Sequence, residues 1–184
     1  MPRATVTADD QSDGALISRW KGGDEQAATL LVARHAPAVA RFAASLGERD
    51  DIDELVQDTF VRAFASLDGF REASSLRTWL FTIARNLLRD RVRARRGRRE
   101  LVPVIEEHAV TEHDALDVAV AEETRTRLRS AVARLSPMQR DVFTLRVTEG
   151  MSYKEIAEVV GSTEGAARVH YHNAMRSIKE YLDD

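Results

Sequence analysis

Residues 134–162, RLSPMQRDVFTLRVTEGMSYKEIAEVVGS, decide the fold. Ser136-Pro137-Met138-Gln139 supplies a hydroxyl for an N-cap, proline at the first helical position, where no N–H is needed, and glutamine at the third, within reach of the cap amide. A helix starts there, and Glu149-Gly150 marks its end. Ser152-Tyr153-Lys154-Glu155 repeats the capping chemistry and opens a short helix that Gly161 closes. Thr163 can then cap a last helix, running to Leu182, with Ala167, Tyr171, Ala174 and Ile178 on its inner stripe. Two helices joined by so tight a turn have the spacing of a helix-turn-helix. Ala157 is small where the helices cross, Gly161 can adopt the positive φ of the turn, and Ile156, Val160 and Ala167 supply the intervening core. The outer face of the second helix carries Gly165, Ala166, Arg168, Val169, His172, Asn173 and Arg176 toward duplex DNA. Arginine and asparagine can pair bidentately with purine edges, and the helix N-terminus can sit against a phosphate.

Upstream the pattern is also helical. Leu16, Ile17 and Trp20, then Ala27, Leu30 and Leu31, recur at helical intervals, with Gly22-Gly23 between the two runs and Asp24 placed to cap the second. From Ile52 to Leu67 the residues Leu55, Val56, Thr59, Phe60, Ala63, Phe64 and Leu67 form one apolar stripe, which leaves Glu54, Gln57, Asp58 and Val61 on an outward, acidic strip. Asp68-Gly69 ends that helix, and Phe70 to Ser75 form a short loop. The next helix starts near Ser75 with Leu76, Leu80, Ile83 and Leu87 inward. That phase puts Trp79 on the flank of the core and makes Phe81 the more exposed ring. No alternating pattern competes anywhere, so the chain reads as all-α.

The 184 residues carry a net charge of -3, but the charge is segregated. Residues 11–99 hold 16 basic and 12 acidic side chains, and eight arginines fall between Arg85 and Arg99. Residues 100–123 then hold eight acidic side chains and no Lys or Arg. This gives a mobile polar tail over 1–12, a helical domain over 13–99, an extended acidic linker over 100–123 and a second helical domain over 124–184. Helical periodicity resumes near Ala115. The absence of Cys excludes disulfides, thiol nucleophiles and thiolate metal sites. No run approaches the ~20 apolar residues that span a bilayer, and no signal peptide is written at the N-terminus, so the expected location is the cytoplasm.

Both lobes resemble the bacterial RNA polymerase sigma factors of the extracytoplasmic-function (ECF) group, within the sigma-70 family. Asp53-Glu54-Leu55-Val56-Gln57-Asp58-Thr59-Phe60 resembles the family's region 2.2, FREASSLRTWLFTIARN over 70–86 its regions 2.3 and 2.4, and residues 134–162 its region 4. The resemblance implies two small helical domains on a tether and a non-catalytic initiation subunit with no cofactor or metal. It implies that Asp53, Glu54, Gln57, Asp58 and Val61 meet the β′ coiled coil of RNA polymerase core, and that region 4 meets the β flap. It further implies that Arg71, Ser74, Ser75, Arg77, Arg85, Asn86, Arg89 and Arg93 capture and melt the -10 element, holding the single-stranded non-template strand. Thr163, Gly165, Ala166, Arg168, Val169, His172, Asn173 and Arg176 would then read the duplex -35 element. An anti-sigma factor is an implied partner, and the acidic linker is expected to lie in the RNA channel or simply to remain extended.

The recognition helix is less basic than the family's usual pattern, with Ala166, Ala167, His170, Asn173 and Met175, so promoter sequence does not carry over. Enzyme readings fall away. Gly22-Gly23-Asp24-Glu25 joins two helices instead of sitting on a β-hairpin, and His170 and His172, two apart on a helix, point to different faces and cannot chelate one metal. The rival class is a helix-turn-helix regulator that binds a two-fold operator as a dimer, using the N-terminal lobe as its sensor.

Overall fold

The computed structural model describes residues 12–46, 51–70, 74–99 and 116–183. Eight helices account for nearly all of them: α1 (Asp13–Lys21), α2 (Glu25–Ser45), α3 (Ile52–Ala65), α4 (Leu76–Arg99), α5 (Leu116–Arg134), α6 (Pro137–Val147), α7 (Tyr153–Val160) and α8 (Glu164–Asp183), with a 3-10 turn at Leu67–Gly69. No strand occurs among the described residues. The chain divides into two packed units, Met1–Ala84 and Arg85–Asp184. The expected tail up to Gln11, and residues 100–115 of the acidic stretch, lie outside the described residues.

In the first unit α1 and α2 form a corner built from local chemistry. Gly23 turns the chain at φ 91°, and the Asp24 carboxylate accepts from the amide of Gln26 and from Arg19 Nε at 2.9 Å. The Arg19 hydrogen bond is the main reason the Asp24 carboxyl is held below its ordinary value. Asp13 ties the helices a second time, with Arg34 at 2.6 Å and the buried His35 ring at 2.9 Å. Pro37 sits inside α2, which runs through it. The apolar faces of α1, α2 and α3 meet through Leu16, Leu31, Val39, Phe42 and Leu55, all fully buried. Phe42 packs on Phe81 with ring centroids 5.2 Å apart, and Trp20 on Phe64 at 5.1 Å.

Phe81 therefore corrects the sequence expectation: it is 0% exposed, a central core residue. The expectation assumed a narrow inner stripe on α4, whereas Leu76, Leu80, Phe81, Ala84, Leu87 and Leu88 are all buried, a wider arc. Trp79 is half-buried and lies 5.1 Å from Phe70, so it flanks the core as expected.

In the second unit α8 is the spine. Ala174 and Ile178 pack with Ala131 and Leu135 of α5, bordered by Val132, Phe143, Tyr181 and Leu182. Val142, Leu145, Met151, Ile156, Val159 and Ala167 fill the space among α6, α7 and α8. Both capping boxes form as the sequence predicts: Ser136 with Gln139, and Ser152 with Glu155. Helix α5 begins at Leu116, within the acidic stretch and where helical periodicity was expected to resume near Ala115.

Candidate nucleic-acid interface

Three faces carry the predicted site residues. On α8, Gly165, Val169, His172 and Arg176 recur at i, i+4, i+7 and i+11 and are all exposed. They lie opposite buried Ala167, Ala174 and Ile178, so helical geometry alone turns them to solvent. Gly161 at φ 66° and ψ 48° makes the left-handed turn that presents this helix, and Thr163 Oγ1 accepts from the amide of Ala166. Thr163 is thus a cap as well as a surface residue. Ala166 and Asn173 are half-buried on one flank. Arg168 is on the other, bonded to Glu164 Oε1 at 2.9 Å with its guanidinium 5.2 Å from the centre of the Tyr153 ring. Arg146 approaches the same ring at 4.8 Å, and Tyr171 meets it edge-on at 5.9 Å. Tyr153 is the residue that sequence reasoning missed, because it was read only as the first residue of α7.

On α4, Asn86, Arg89 and Arg93 recur at i, i+3 and i+7 and are exposed together, with Arg93 3.6 Å from Asp90. Arg85 is not brought to that face. It is 5% exposed, its Nε donates to Asp141 at 2.5 Å, and its Nη1 donates to the carbonyl of Val160 at 3.2 Å. Burial pushes the Asp141 carboxyl up from its ordinary value against the pull of Arg85, Arg89 and Arg140. Helix phase separates the arginines: Arg85 shares its face with buried Phe81, Ala84 and Leu88. At the start of α4, Ser75 is the cap, its Oγ accepting from the amide of Thr78 at 3.1 Å. Ser74 is half-buried beside it, Arg77 lies 5.3 Å over the Phe81 ring, and Arg71 lies outside the described residues.

On α3, Asp53, Glu54, Gln57 and Val61 are exposed and Asp58 half-exposed on one face, opposite buried Leu55, Thr59 and Ala63. Val61 is 61% exposed, an apolar side chain at the C-terminal end of the acidic strip. No cluster of side chains able to hold a metal occurs among the described residues, and none of the helices described is long and apolar enough to cross a membrane.

Two family models match the chain in order, Sigma-70 region 2 over residues 31–98 and Sigma-70, region 4 over residues 125–178. The ECF RNA polymerase sigma-E factor of Haemophilus influenzae is 30% identical over 188 residues, covering 95% of this chain and 97% of the relative. The chain belongs to the ECF sigma factors. Solved structures of the group share its architecture. CnrH, in complex with the cytosolic domain of CnrY, is 32% identical with a TM-score of 0.70, covering 93% of this sigma factor and 97% of the solved chain. RpoE of Bartonella quintana, in complex with the anti-sigma factor NepR, is 32% identical with a TM-score of 0.65, covering 87% and 97%. A promoter-directing sigma factor, and not a dimeric operator-binding regulator, is what this sequence encodes.

Proposed function

We propose that this sigma factor divides initiation among its three exposed faces. The acidic strip of α3, Asp53 to Val61, docks on a basic surface of RNA polymerase core, with carboxylates setting register and Val61 supplying apolar contact. Asn86, Arg89 and Arg93 on α4, with Ser74, Ser75 and Arg77 at its start, hold the unpaired non-template strand of the -10 element. Opening each base step costs about one to two kcal/mol, which such contacts offset without ATP. The outer stripe of α8 reads the -35 element in the major groove. Residues 13–99 and 124–184 act as the two promoter-binding domains, joined by the acidic stretch. The subunit is non-catalytic, works in the cytoplasm, and is restrained by an anti-sigma factor, as the complexes of its relatives support.

The observation that carries this reading is the exposed α8 stripe, mounted on a doubly capped helix-turn-helix. The test is transcription in vitro on fragmented DNA of the source organism, with core polymerase alone and with core plus this protein. New RNA 5′ ends that share two upstream motifs at fixed spacing are expected. No new starts, with tight operator binding by the protein alone, would overturn it.

A further inference from the structure

We propose that Gly165 and Val169 form a notch on α8 that reads the 5-methyl group of a thymine in the -35 element. This rests on the assignment of α8 as the -35 reader and names the base chemistry it selects. Val169 is 59% exposed, more than any other large apolar side chain described in the second unit. Most of its surface faces solvent, and a β-branched residue on a helix surface is a poor helix former.

Gly165, one turn earlier, is as unexplained by the fold. Its φ is not in the left-handed region, and a Cβ built there would meet no atom within 4 Å. Neither backbone conformation nor packing within the chain calls for glycine, and alanine would favour the helix. The two observations fit together geometrically. Helical side chains lean toward the N-terminus, so Val169 leans toward the turn that carries Gly165 while leaving the space beside that glycine open. With no Cβ at Gly165 and open space where one would stand, a methyl group can approach the bare backbone beside the exposed Val169. In the major groove the thymine methyl is the apolar group that projects from the base edges, and aliphatic side chains are what recognise it.

Deoxyuridine tests the idea, because it pairs as thymine does and lacks only the methyl. With holoenzyme and a promoter defined by start-site mapping, each -35 thymine on either strand is replaced by deoxyuridine in turn, and promoter affinity is measured. One position is expected to lose about fourfold, the scale of one buried methyl group. At that position Val169→Ala and the polar Val169→Asn should bind weakly with either base, the deoxyuridine penalty having vanished. Gly165→Ala should also lose the discrimination while melting no lower than wild type. Equal penalties in wild type and Val169→Ala, or no sensitive thymine, would overturn the notch. If Val169→Ala instead weakens only core or protein binding, the exposed valine serves a protein partner and the proposal fails. A scrambled -35 element that binds as well as the intact one would overturn the α8 assignment itself, a separate result.

Discussion

Arg168 is restrained before any DNA arrives. Glu164 takes one end of its guanidinium and the Tyr153 ring supports its plane, while Arg146 and Tyr171 hold that ring in turn. A guanidinium held this way loses less side-chain freedom on binding, and an exposed cation–π contact is worth about 0.5–1 kcal/mol. Tyr153→Leu should therefore lower affinity for the -35 element two- to fivefold, Tyr153→Phe should leave it near wild type, and filter binding with holoenzyme would separate them. A second residue-scale expectation concerns Asn86, exposed on α4 with Arg89 and Arg93. Asn86→Ala should slow promoter opening on a fluorescent-base template by about tenfold or more while leaving core affinity unchanged. The exposure of Arg168 is legible from helix phase, whereas Asn86 is picked out by its match to the family's region 2.4 motif. Tyr153 is legible in neither way, since its role depends on where α7 crosses α8. Arg85 was within reach: its charge placed it with the other arginines, but its phase with Phe81, Ala84 and Leu88 placed it inside.

At the scale of elements, α7 and α8 are specified by local chemistry, which is why the sequence predicted them so closely. Ser152 accepts from the amide of Glu155, and Glu155 accepts from that of Ser152. Removing such a cap costs about 1 kcal/mol, so Ser152→Ala should lower the urea midpoint with an unchanged slope. Gly161→Ala meets no neighbour, and its penalty is the left-handed backbone alone, about 1–2 kcal/mol. The start of α5 was legible from the return of helical periodicity near Ala115, but its packing through Ala131 and Leu135 on α8 was not. The acidic face of α3 makes its own prediction. Glu54→Arg combined with Asp58→Arg should weaken core binding by about tenfold or more, since like charges set against a basic partner are strongly unfavourable. An unaltered dissociation constant would return that face to solvation.

Over the whole molecule, the proposed reading surfaces of α4 and α8 lie in separate family domains, region 2 and region 4, each of which would make few DNA contacts. Joining two weak binding events raises overall affinity only when both sites can be engaged at once. The protein alone should bind a promoter fragment weakly, and core should raise that affinity by about a hundredfold or more. Inserting about five base pairs between the two elements, half a helical turn, should abolish initiation, whereas deleting core should not matter to a simple operator binder. The two family regions were legible because their motifs stand on either side of the acidic stretch. The same division has an optical corollary. Both tryptophans, Trp20 and Trp79, lie in the first unit, and all three tyrosines, Tyr153, Tyr171 and Tyr181, lie in the second. Trp20 rests on Phe64 of α3, the helix proposed to dock on core, and Trp79 rests on Phe70 at the start of α4's proposed -10 surface. Selective indole emission thus watches one half of the subunit and is blind to the other. Paired with Trp20→Phe or Trp79→Phe, it would time polymerase docking and strand capture separately, with no dye attached.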